Sequence, residues 1–155
     1  MSHVAVEYYK SKVGLLKICA DEEAVTAISF VQEVGKDNSN RWTRECIRQL
    51  EEYFQGNRYE FDLPLHPTGT PFQQKVWEAL QQIPYGETRS YKEIAIECGN
   101  EKACRAVGMA NNRNPIAIVI PCHRVIGKNG KLVGYAGGLD IKTFLLELEK
   151  IQKRV

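Results

Sequence analysis

Cys122 sits in Pro121-Cys122-His123-Arg124-Val125, where a thiol, an imidazole and a guanidinium occupy successive positions. That company favours the thiolate at neutral pH, the form in which cysteine is a nucleophile. The competing reading is a small buried hydrophobe, because unreactive buried thiols are common. An apolar run, Ile116-Ala117-Ile118-Val119-Ile120, leads into the motif and reads as a buried strand that presents Cys122 at its end. Adjacent side chains on a strand point to opposite faces, so His123 reaches Cys122 only where Pro121 turns the backbone, or through a water. Glu149 is the candidate orienter of His123, completing a nucleophile–base–orienter relay. It follows Leu145 by four residues and Ile141 by eight, at the edge of a helix's apolar face, where glutamate is uncommon. Its alternative is to lean into solvent at a fraying helix end.

A second cluster points to a nucleic-acid groove. Lys102-Ala103-Cys104-Arg105-Ala106-Val107-Gly108-Met109-Ala110 is a helical stretch of small residues with one long cation, Arg105. Small residues permit close approach to another surface and suit a narrow minor groove. A tight helix–helix contact with Arg105 exposed explains the same pattern. Ser90 and the amides around it, at a helix start, are candidate phosphate contacts. In Asn111-Asn112-Arg113-Asn114-Pro115, Asn111 and Asn112 read as loop residues bonded to local backbone. Asn114, just before the apolar run, is a candidate for fixing the loop that carries Cys122.

The elements that must position these groups are punctuated in the sequence. Val4–Tyr9, Gly14–Cys19 and Ala24–Phe30 read as three short strands. Asn38-Ser39-Asn40 offers capping for a helix with Trp42, Cys46, Leu50 and Phe54 at every fourth position. Leu63-Pro64-Leu65-His66-Pro67-Thr68-Gly69 is an extended connector and the expected boundary between residues 1–67 and 68–155. Beyond it, Thr70/Gln73 and Ser90/Glu93 are two capping boxes. The first opens a helix with Phe72, Val76, Leu80 and Ile83 in its stripe. The second opens a short helix with Tyr91, Ile94, Ala95 and Cys98 on one face, ended by Gly99. Asn100 is placed to cap the next helix, running to about Asn111, which completes a helix-turn-helix outline. Gly137-Gly138 precedes a last helix with Ile141, Phe144, Leu145 and Leu148 in its stripe.

Length and composition bound the rest. The chain has 155 residues, 43% hydrophobic and 26% charged, which suits one globular domain with or without a small appendage. No apolar run approaches the roughly 20 residues that span a bilayer. The N-terminus lacks the basic and apolar regions of a secretory signal. A net charge of +2 is too small to argue for nucleic acid by itself. Five cysteines, an odd number without a CxxC pair, suit a reducing cytosolic or nuclear compartment. A cysteine hydrolase or acyltransferase, and a DNA-binding module with a structural Cys122, both remain open from these residues.

The Pro121–Val125 motif resembles the active-site signature of the O6-alkylguanine-DNA alkyltransferases. Thr70-Pro71-Phe72-Gln73, Val76-Trp77, Ile83-Pro84-Tyr85-Gly86 and Ser90-Tyr91 are similar to that family's upstream block. Arg105-Ala106-Val107-Gly108 is similar to its recognition helix, Asn114-Pro115 to its asparagine hinge, Gly134-Tyr135-Ala136-Gly137-Gly138 to its substrate loop, and Leu145-Leu146-x-x-Glu149 to its final helix. The resemblance covers residues 68–150. It implies a small α/β N-terminal domain of short antiparallel strands and a helix, then a mostly α domain with a helix-turn-helix and a short strand leading to Cys122.

It also implies an activity: irreversible transfer of an alkyl group from O6-alkylguanine, with O4-alkylthymine as a second candidate substrate, in duplex DNA to Cys122, one turnover per molecule. The base would be flipped out from the minor-groove side, with Arg105 in the vacated space and Lys102, Ala106 and Ser90 against the DNA. His123 would act through water, held by Glu149. Tyr91 would donate toward guanine N3, carbonyls near Cys122 and Val125 would accept from the exocyclic amine, and amides near Tyr135 and Ala136 would face O6. Asn114 would tie the recognition helix to the active loop. The expected partner is double-stranded DNA, with no membrane, no cofactor and a monomeric protein in the cytoplasm or nucleus. Some members carry zinc in the N-terminal domain. Here only Cys19, Cys46, His3 and His66 lie in that region, so no zinc is expected.

Overall fold

The three N-terminal apolar runs pair as an antiparallel sheet in the computed structural model, which describes residues 4–135 and 137–153. His3 and Ala136 lie outside the described residues. Strands β1 (Ala5–Ser11), β2 (Gly14–Ala20) and β3 (Val25–Phe30) lie in the order β1-β2-β3. Leu16, Ile18 and Ala20 alternate onto the buried face of β2, as a sheet covered on one side requires. Helix α1 (Arg41–Phe54) covers that face with Cys46, Leu50, Tyr53 and Phe54. Asn40 caps it: its side chain accepts from the Trp42 and Thr43 amides while Thr43 reaches back to the Asn40 amide.

The connector from Leu63 is held along the sheet. Val25 N–H donates to Pro64 O and His66 N–H to Val25 O, each at 2.9 Å. The buried Gln49 side chain takes both backbone groups of Asp62, donating at 3.0 Å and accepting at 2.8 Å. The first two bonds make a single parallel bridge between Leu65 and Val25 at the start of β3, and together the four satisfy the backbone of the extended segment. The chain divides into two compact units, Met1–Thr68 and Gly69–Val155.

The second unit is built on helices α2 (Pro71–Gln81), α3 (Tyr91–Glu97), α4 (Cys104–Asn112) and α5 (Leu139–Lys153). Both capping boxes form, at Thr70/Gln73 and at Ser90/Glu93. Gly99 takes φ +88°, and the amides of Gly99 and Asn100 return to the carbonyls of Ile96 and Ala95. That is a Schellman stop, for which a left-handed glycine is best suited. Asn100 does not cap α4. Its side chain instead accepts from the Lys102 amide at 3.0 Å, within the turn, and α4 begins at Cys104 behind an uncapped Ala103. Trp77, buried in α2, donates to Ala110 O at 2.8 Å and locks α2 to α4. Among the described residues no helix is long and apolar enough to cross a membrane.

Two local expectations change. The run 116–120 is buried but is not a strand. It winds through tight turns, with Ile118 at φ +71° and hydrogen bonds from Val119 N to Ala117 O and from Ile120 N to Ile116 O. A continuous apolar run shows burial without fixing backbone shape. The buried line of α5 also differs from the expected stripe. Lys142, Leu145 and Glu149 are fully buried, while Phe144 is 38% exposed. Polar groups take this line because each charge on it finds partners, as described below.

Candidate active site

Cys122 opens a single 3-10 turn, Cys122–Arg124. The turn follows from its surroundings: Cys122 N–H donates to Ile120 O at 2.8 Å and Arg124 N–H to Pro121 O at 3.0 Å. Asn114 braces the approach, accepting from the Ile116 amide at 2.9 Å and donating to Ile120 O at 2.8 Å. Beyond the turn, β5 (Val125–Ile126) pairs in parallel with β4 (Arg89–Ser90). The start of α3 is thereby fixed to the residues that follow the cysteine.

Glu149 reaches this turn from α5. It accepts from His123 Nε2 at 2.6 Å, from Arg124 Nε at 2.8 Å and Nη2 at 3.1 Å, and from the Gly86 amide at 3.3 Å. Burial works against its charge, but His123 and Arg124 outweigh burial and hold the carboxyl well below the usual carboxylate range. Burial likewise dominates at His123 and keeps the imidazole neutral, against the pull of Glu149. A neutral imidazole that gives its Nε2 proton to Glu149 leaves Nδ1 as an acceptor, and Nδ1 has no partner among the described residues. Arg124 is committed elsewhere: its third bond goes to Ile83 O at 2.7 Å and its guanidinium lies 5.7 Å from the Tyr85 ring centroid.

The resting thiolate expected from the sequence is therefore not what the fold favours. Burial pushes the Cys122 thiol up, and a hydrogen bond from the Asn114 side chain and the charge of Lys142 only partly offset it. Tyr91 and Tyr135 lie near enough to Cys122 to feel the charge of its thiolate. Burial first, then the charge of a Cys122 thiolate, raises both phenols, so both remain proton donors. Tyr91 OH donates to Val133 O at 3.1 Å.

Arg105, Ala106 and Lys102 are exposed. Lys102 precedes α4 rather than lying on it. The small residues divide their work: Gly108 faces the Tyr91 ring, where an added Cβ would lie 3.8 Å away, while Ala106 faces solvent. Ser90 Oγ accepts from the Glu93 amide, as its capping position dictates.

Comparison with known proteins bears on this arrangement. Residues 71–151 match the 6-O-methylguanine DNA methyltransferase DNA-binding domain, and residues 4–67 match the ribonuclease-like domain of the same family. The chain belongs to the 6-O-methylguanine DNA methyltransferase family. It is 55% identical to a methylated-DNA–protein-cysteine methyltransferase of Methanosarcina acetivorans, covering 91% of this chain and 95% of that one. It is 48% identical to the constitutive enzyme of that name from Bacillus subtilis, over 94% and 97%. A crystal structure of Mycobacterium tuberculosis OGT in complex with DNA superposes with a TM-score of 0.87 at 46% identity, covering 94% of this chain and 92% of that one.

Within this member of the family, two site residues escaped the sequence reading. Asn111 is not a loop residue. It lies in α4, 2% exposed, and its Nδ2 approaches Cys122 O at 3.4 Å, so it adds a second tie to that of Asn114 between the end of the helix and the cysteine. Lys142 is fully buried and donates to Val125 O at 2.6 Å, Val133 O at 2.9 Å and Gly134 O at 3.4 Å. The carbonyls of Cys122 and Val125, expected to face an exocyclic amine, thus already receive donors, Cys122 O also from the Val125 amide. The one available signal for Lys142 was its spacing of seven residues from Glu149, which puts both on one helical face.

Proposed function

We propose that this protein repairs duplex DNA by moving the alkyl group of O6-alkylguanine irreversibly to Cys122, once per molecule. The observation that carries the reading is the buried Cys122 turn, with a neutral His123 held by Glu149 and two protonated phenols near Cys122. The names of the relatives and the DNA in the crystal structure of one of them support it.

In this reading α3 and α4 meet DNA by phosphate contacts and groove shape, Arg105 fills the stack behind the flipped base, and Lys102, Ala106 and Ser90 line the approach. The thiol proton leaves through a water to His123 Nδ1. The sulfur electron pair forms a bond to the alkyl carbon, the carbon–O6 bond breaks, and its electron pair passes into the purine. Tyr91 supplies a proton toward N3, and the thiol's proton replaces it by way of His123 and water, leaving neutral guanine and a thioether. The loop at Tyr135 faces O6. O4-alkylthymine offers the same alkyl–oxygen bond and is a second substrate. The partner is double-stranded DNA, bound by a monomer, in the cytoplasm or a nucleus.

A cysteine hydrolase would need an oxyanion hole. The Cys122 amide, its natural donor, is committed to Ile120 O. Attack at an sp³ carbon needs no such hole.

Intact-protein mass spectrometry after mixing with a duplex containing one O6-methylguanine tests the proposal. The expected result is a gain of one methyl group, mapped to Cys122, saturating at one per protein and absent from Cys122→Ala. Tight lesion binding without mass gain would overturn the transfer. Continuing release of product from small esters would restore the hydrolase.

A further inference from the structure

Lys142 is a buried cation that none of the steps above uses. It enters the unit from α5 and, among the described residues, meets no carboxylate but three carbonyls. Three acceptors match the three N–H bonds of an ammonium, whereas a neutral amine has only two to give. The three acceptors favour the charged form, while burial pushes the ammonium below its ordinary value and a negative Cys122 pushes it back up. A buried charge without a counter-ion is costly, so what it faces when the site reacts matters.

Two observations show what Lys142 faces. The first is the cysteine turn: Lys142 Nζ donates at 2.6 Å to the carbonyl of Val125, the residue that closes the Cys122–Arg124 turn, and its charge and that of Cys122 act on each other. The other titratable groups around the sulfur give it no cation. His123 is neutral, Arg124 is paired with Glu149, and Tyr91 and Tyr135 are protonated phenols. The second is Val133 O, which receives both Lys142 Nζ and Tyr91 OH. A phenol has one proton. Tyr91 cannot donate to Val133 O and to a leaving base at the same time, so in the proposed reaction it must release the loop at the moment the loop is needed.

We propose that Lys142 is a positioning residue for the transfer: it holds the 133–134 loop through its carbonyls when Tyr91 turns to the substrate, and its ammonium faces the sulfur as Cys122 becomes anionic. The role in transfer rests on the alkyl-transfer reading. The charge on Cys122 does not, and can be tested without DNA.

The experiment follows Cys122 alkylation by iodoacetamide, mapped by mass spectrometry, from about pH 6 to about pH 10 in wild type, Lys142→Met and Lys142→Arg. In parallel it follows single-turnover transfer from an O6-methylguanine duplex. Lys142→Met should move the midpoint of the pH profile up by about one unit or more, an approximately tenfold slower labelling below the midpoint. Lys142→Arg keeps the cation and should keep the midpoint, yet transfer methyl at least about tenfold more slowly, because a planar fork cannot point at three converging carbonyls. A Lys142→Met profile that superimposes on wild type would overturn the electrostatic role. If Lys142→Met does not fold, an upward-shifted midpoint in Lys142→Arg overturns it instead, and wild-type transfer by Lys142→Arg overturns the positioning role. Wild type that labels normally but accepts no methyl group would sink the alkyl-transfer reading and leave the charge on Cys122 standing.

Discussion

Glu149→Gln removes one charge and keeps the shape, so it isolates what the carboxylate does. In the native turn Glu149 accepts four hydrogen bonds, from His123, twice from Arg124, and from the Gly86 amide. The side chains of Glu149 and Arg124 are 1% and 8% exposed, so water screens little of their attraction. Glutamine offers a single oxygen, and its amide protons confront the N–H donors of Arg124 or His123. Arg124 is left as a buried cation without a counter-ion, a loss of about 3–5 kcal/mol. At about 2–4 °C per kcal/mol for a chain of this length, the melting temperature should fall by about 6–20 °C. Thermal melts by circular dichroism at neutral pH measure this. Glu147→Gln, on the exposed side of α5, is the control and should change stability by no more than about 0.5 kcal/mol. Replacing both partners, Glu149→Leu with Arg124→Met, should recover part of the loss, because no charge is then stranded. A Glu149→Gln melt within about 2 °C of wild type would refute the argument that this pair supports the turn.

The same carboxylate predicts an acid limb. The Glu149 carboxyl lies below its ordinary value in the folded chain, so the unfolded chain binds the proton more readily. Its contribution is complete above the unfolded value of about 4.3 and is lost as pH falls below that toward the depressed folded value. Urea midpoints should therefore decline through that window in wild type and more shallowly in Glu149→Gln; parallel curves would contradict the assignment. Arg105→Ala, at an exposed position, should shift stability by no more than about 0.5 kcal/mol. It should slow transfer from duplex DNA about tenfold or more, while iodoacetamide labels Cys122 as in wild type. Equal duplex rates would remove Arg105 from the base-flipping step.

Local features were legible where their physics is local. The pairs Thr70/Gln73 and Ser90/Glu93 form as their spacing implies, and Asn40 of the Asn38–Asn40 stretch caps α1, because a cap closes within four residues of chain. Asn100 misled because the same side chain can cap a helix or close a turn, and the backbone of the α3–α4 turn favoured the second. The segment 116–120 misled because burial and extension look alike in composition. Its shape is set by Asn114 and by the left-handed Ile118, not by propensity. Asn111 was passed over because polar residues before a proline usually serve their own loop, whereas this one reaches a carbonyl eleven residues away.

The sequence by itself determined the candidate nucleophile, its neighbours, the main helices and N-terminal strands, and the family, because these rest on residue identity and short-range spacing. Tertiary structure alone decided the protonation states and the partners of the charges. Lys142 and Glu149 look alike in sequence, two charged residues on one helical face. The fold gives the first three carbonyls and the second two cationic or polar side chains and an amide. Whether a buried charge is tolerable depends on groups brought to it from distant parts of the chain, and sequence spacing carries no record of that convergence.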